Sequence, residues 1–80
     1  MNAKEMFEEL GYTKHEHKLS IEYFMQNPDN HSVYEVVFDL VEETCSVRVW
    51  KRIGLDTHQN IDAILHLAIH QQMKELGWIK

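Results

Sequence analysis

The apolar positions along this chain change their period twice, and each change marks an element. Met6, Phe7 and Leu10 recur at helical spacing, and Asn2 with Glu5 three residues later has the form of a capping box. The pattern predicts a short first helix that stops at Gly11. Leucine, glycine and an aromatic in succession read as a left-handed helix stop, in which the residue after the glycine folds back against the last turn. This signal occurs twice: Phe7 to Tyr12 reads Phe-Glu-Glu-Leu-Gly-Tyr, and Met73 to Trp78 reads Met-Lys-Glu-Leu-Gly-Trp.

From Lys18 to Met25 the period drops to two. Leu19, Ile21, Tyr23 and Met25 fall on one side and Ser20, Glu22 and Phe24 on the other, so this segment reads as a strand and His15-Glu16-His17 as the connection before it. Gln26 to Ser32, with Pro28 inside, is the densest turn chemistry in the chain and separates two strands. Val33 to Val41 and Cys45 to Ile53 are rich in β-branched and aromatic residues and form a hairpin around Glu42-Glu43. Neither glutamate suits a two-residue turn that needs positive φ at both centres, so a four-residue loop is expected. The expected register places Leu40 opposite Cys45, Phe38 opposite Val47, Val36 opposite Val49, Val37 opposite Arg48 and Glu35 opposite Trp50.

Helical period returns after Asp56. Asp56 with Gln59, or Thr57 with Asn60, opens the longest helix, which runs to the stop at Gly77. Its apolar face gathers Ile61, Ile64, Leu65, Ala68, Ile69, Met73 and Leu76, and only a sheet is large enough to be covered by it. The expected fold is one α+β domain over residues 1–80: helix, three-stranded antiparallel sheet, helix (αβββα), with both helices on one sheet face.

Composition narrows the function more than it names one. Eighty residues with 44% hydrophobic and 26% charged make an ordinary globular domain, small enough that self-association would relieve its thin core. Thirteen acidic against eight basic residues give a net charge of −5, which opposes direct nucleic-acid binding. No apolar run approaches the ~18 residues of a membrane helix, and the opening residues lack a signal-peptide core. Cys45 is the only cysteine, so no internal disulfide forms and a reducing, cytoplasmic setting is expected.

Six histidines invite a search for metal chemistry. His58, Asp62, His66 and His70 are spaced by four and line one stripe of the second helix; His66 and His70 have the spacing of paired zinc ligands, with Asp62 as a third candidate. No glutamate follows the first histidine of His66-Leu67-Ala68-Ile69-His70, so a metalloprotease base is missing and a solvated polar face is the plainer reading. Cys45 alternates with Val47 and Val49 as a small core residue. Glycines 11, 54 and 77 are isolated, and no phosphate cradle or dinucleotide fingerprint is present, so no cofactor and no enzymatic activity are expected.

The outer sheet face is more informative. Trp50, Phe24, Val33 and Val37 point there among Arg48, Arg52, Glu22 and Glu35, a mixture of aromatic and arginine anchors that resembles an interface. Trp50 is the expected anchor, burying itself against a second copy in a homodimer or against a protein partner.

The opening Ala-Lys-Glu-Met-Phe-Glu-Glu-Leu-Gly-Tyr, the alternating strands and the closing Ala-Ile-His-Gln-Gln-Met-Lys-Glu-Leu-Gly-Trp resemble a group of small uncharacterised proteins of phages and prophages of low-GC Gram-positive bacteria. The resemblance implies an accessory protein of the host-cell cytoplasm and carries over no functional residue, because its motifs are caps and amphipathic faces. The resulting expectation is a non-enzymatic protein-binding module that self-associates. Its rivals are an inhibitor that offers an acidic surface to a host defence or nucleic-acid-binding protein, and a metal-dependent hydrolase built on the histidine stripe.

Overall fold

A computed structural model describes residues 1–28, 31–50 and 61–79, together with the backbone of 55–56. The first element, α1 (Ala3–Glu9), begins with the expected box: the Asn2 side chain accepts from Glu5 N–H at 2.8 Å, and Asn2 N–H donates back to Glu5 Oε1 at 3.1 Å. Four antiparallel strands follow, β1 (Thr13–Glu16), β2 (Ser20–Gln26), β3 (Val33–Asp39) and β4 (Thr44–Trp50), with the two-residue β5 (Leu55–Asp56) beyond β4. The chain closes with α2 (Ala63–Glu75).

The three-stranded sheet expected from the pattern is therefore wrong. Thr13-Lys14-His15-Glu16, which takes in His15 and Glu16 of the expected His15-Glu16-His17 connection, pairs along the edge of β2, Thr13 opposite Phe24 and Glu16 opposite Ile21. An edge strand bonds through its backbone and needs no alternating apolar side chains, so a polar segment gives no periodic signal.

The hairpin register also differs, by two positions. Asp39 pairs with Thr44, Phe38 with Cys45, Val36 with Val47, Glu35 with Arg48 and Val33 with Trp50. The loop has the expected four residues but lies at Leu40–Glu43. The Asp39 side chain accepts from the N–H of Val41 and of Glu42, both at 2.9 Å, and Glu43 takes a left-handed backbone at φ 54°. These local bonds hold the loop that goes with this register, and because the side-chain period is two, every residue keeps its face.

Both helices lie on the face carrying Ile21, Tyr23, Val36 and Phe38. Phe7 stacks on Tyr23 with ring centroids 3.8 Å apart and meets Phe38 edge-on, while Leu65, Ala68 and Ile69 complete the buried cluster. The helices run antiparallel, since Ala3 N–H at the start of α1 donates to Glu75 Oε2 at the end of α2 at 2.7 Å. Each ends in a Schellman turn: Tyr12 N–H reaches Phe7 C=O and Trp78 N–H reaches Met73 C=O, both at 3.0 Å, with Gly11 at φ 95° and Gly77 at φ 77°.

The second helix starts later than the pattern suggested. Asp56 lies in β5, Thr57 to Asn60 lie outside the described residues, and Asp62 is the N-cap, accepting from Leu65 N–H at 2.8 Å. Ile61 precedes the helix, and both it and Ile64 are exposed rather than part of the core face. The buried stripe is Leu65, Ala68, Ile69 and Gln72. Gln72 is the unexpected member: its side-chain oxygen accepts from the Tyr23 hydroxyl inside the core. Burial raises the Tyr23 hydroxyl well above the usual phenol value, with the Glu75 carboxylate adding to the effect.

Candidate interface on the open sheet face

Alternation along β2, β3 and β4 sends Phe24, Val33, Val37, Arg48 and Trp50 to the face away from both helices. Register and diagonal contacts then organise them. Glu35 lies directly opposite Arg48, and its two oxygens divide their work: Oε1 accepts from Arg48 Nη2 at 3.2 Å, and Oε2 accepts from Trp50 Nε1 at 3.1 Å. The Arg48 guanidinium carbon sits 5.8 Å from the Trp50 ring centroid, within cation–π reach. One carboxylate thus fixes an arginine and a tryptophan side by side. Arg48 Nε is buried without a hydrogen-bond partner, so the donor fork is only partly used.

At the other edge of the same face the His15 ring stacks on Phe24 with centroids 4.3 Å apart, and His17 Nε2 lies 2.9 Å from Glu22 Oε2. Phe24, Val33 and Val37 are half-buried among these neighbours, and Trp50 is the most exposed apolar residue of the five. Arg52, expected to join them, lies outside the described residues. The role of His15 was not legible in the sequence, because it depends on β1 pairing with β2.

The helix-borne metal candidates are not gathered. Asp62 is occupied as an N-cap, His58 lies outside the described residues, and the exposed His66 and His70 rings stand 6.4 Å apart. Among the described residues, no three His, Cys, Asp or Glu side chains are placed to share a metal ion. Cys45 is half-buried against the core, and that burial pushes its thiol up to about 11, away from the thiolate a nucleophile needs.

A second apolar surface escaped the sequence reading. Met1, Met6, Glu9, Leu10, Ile64 and Leu67 line an open depression of about 120 Å³ between α1 and α2. The outward i, i+3 pair Ile64 and Leu67 carried the signal. Assigning Ile64 to the core face concealed it.

The arrangement defines a small α+β domain whose antiparallel sheet is roofed by two helices on one side and, among the described residues, left open on the other. No protein-family model, curated protein or solved structure matches the chain. No helix among the described residues is long and apolar enough to cross a membrane.

Proposed function

We propose that this chain is a non-enzymatic protein-binding module, an accessory protein of phage or prophage type acting in the host-cell cytoplasm, and that it meets its partner through the open sheet face around Trp50. What carries the reading is the Glu35–Arg48–Trp50 cluster. Tryptophan and arginine supply a large share of binding energy at protein interfaces, and side chains already held in one geometry lose less entropy on docking. The half-buried Phe24, Val33 and Val37 extend an apolar floor beside the anchor.

The test uses tagged wild-type chain and its Trp50→Glu variant as baits in lysate of a low-GC Gram-positive host. The wild type retains a protein in near-stoichiometric amount, and the variant loses it while its far-ultraviolet circular dichroism is unchanged. Loss of an anchor worth about 2 kcal/mol or more weakens binding roughly thirtyfold. Identical capture by both baits would remove the sheet face from consideration.

A further inference from the structure

β1 ends the sheet, and among the described residues no strand pairs with its outer edge. His17 N–H donates to Ser20 C=O at 2.9 Å, so these two residues form a hydrogen-bonded pair at the end of the β1–β2 ladder. Alternation then directs the backbone of Thr13, His15 and His17 inward to β2 and that of Lys14 and Glu16 outward. Outward N–H and C=O groups of this kind are a template for a further strand. The side chains add a pattern of sign. Lys14 Nζ lies 2.9 Å from Glu16 Oε1, both on the helix side of the sheet, and the ammonium holds the Glu16 carboxyl below the usual carboxylate range. Both groups are charged.

A lysine on a sheet edge ordinarily guards it, because it repels the same lysine of a second edge. On β1 one register cancels the guard. Two copies of β1 related by a two-fold axis pair antiparallel, and the residues that exchange hydrogen bonds must be the outward ones. Only an axis at His15 pairs both outward residues with each other inside the strand. It sets Lys14 of each copy against Glu16 of the other, whereas an axis one residue to either side sets lysine on lysine or glutamate on glutamate. Each lysine then lies between two glutamates, its own and the one across the axis. Opposite charges directly across a strand pair stabilise it and like charges destabilise it. On the open face the same axis brings the two His15 rings together, each stacked on its own Phe24.

We propose that the outer edge of β1 is a homodimer interface, at which a second copy of this chain adds its own β1 antiparallel, centred on His15, with Lys14 of each against Glu16 of the other. The inference goes beyond the partner assigned to the sheet face. The two sheets become one, their open faces lie side by side, and the dimer presents the Trp50 cluster twice. The second copy occupies a sheet edge and not Trp50, where sequence alternation had put it.

The contact is small, so sedimentation equilibrium at about 200 μM tests it, on the order of concentrations that hold weak dimers together. The wild type sediments at twice the 9.6 kDa chain mass. Lys14→Glu and Glu16→Lys each set like charges across the axis and raise the dissociation constant roughly tenfold or more. An equimolar mixture of these two variants sets opposite charges across it again and dimerises, as does the double variant Lys14→Glu with Glu16→Lys. Misfolding of the single variants cannot produce that recovery. Trp50→Glu stays dimeric. A monomeric wild type overturns the proposal, as do single variants that associate like the wild type, a mixture or double variant that stays monomeric, or dissociation by Trp50→Glu. Failure of lysate capture by the sheet face leaves the dimer mass untouched, so the two readings fail separately.

Discussion

Replacing Gly77 by alanine isolates one term of the stability of this domain. Gly77 sits at φ 77° immediately after α2, where its N–H bonds Lys74 C=O and the next residue, Trp78, bonds Met73 C=O. A β-carbon added there meets nothing within 4 Å, so sterics with the rest of the fold contribute nothing. What remains is the backbone: an L-residue in the left-handed region costs roughly 1–2 kcal/mol. Alanine also restricts the unfolded chain, which returns about 0.4–1 kcal/mol. The net loss is about 1 kcal/mol, equivalent to a fall in Tm of roughly 4–8 °C for a domain of this size. Asparagine tolerates the left-handed region, so Gly77→Asn should fall between glycine and alanine. At Gly11 the same β-carbon comes to 3.0 Å from Met25 Sδ, the end of a flexible side chain, and Gly11→Ala should cost at least as much as Gly77→Ala. Urea unfolding followed by circular dichroism measures all three. Equal midpoints for wild type and Gly77→Ala, at equal slope, would refute the account of this turn.

Two further outcomes follow from the core. Tyr23→Phe removes the donor to buried Gln72 and strands its oxygen, at a cost of about 1–3 kcal/mol; in Tyr23→Phe with Gln72→Leu no polar atom is stranded, so the double variant should lose less than the single one when both are melted in denaturant. Burial raises the Cys45 thiol from 9.0 to about 11 and raises the Tyr23 hydroxyl from 10.0, so the folded state holds both protons more tightly than the unfolded state. The Cys45 part is fully present below pH 9 and is lost as the pH rises from 9 through about 11, and the Tyr23 part is fully present below pH 10 and is lost only above it. Unfolding midpoints should be lower at pH 10.5 than at pH 8, and the fall should shrink in Cys45→Ala; no fall at all would mean that neither group is protected.

What the sequence determined by itself was whatever depends on near neighbours. The Asn2 box and the stops at Gly11 and Gly77 are local hydrogen-bond chemistry, and the Leu-Gly-aromatic signal marked both helix ends. Alternation likewise fixed which residues of β2, β3 and β4 share a face, so Phe24, Val33, Val37, Arg48 and Trp50 were legible as neighbours of the open surface. Tertiary structure decided the rest. A two-residue slip satisfies the same pattern, so alternation left the register open; the pairing that forms gives Glu35 to Arg48. The polar β1 became a strand because β2 had a free edge, which no periodicity reports. Asp56 and Thr57 read as the possible caps, yet Asp62, read as a metal candidate, starts the helix; Ile64 stays outside the core and Gln72 enters it, where its side chain accepts from a buried tyrosine hydroxyl. Burial of a side chain depends on what the rest of the chain places against it, and Ile64 and Leu67, apolar as they are, stay 62 and 56% exposed.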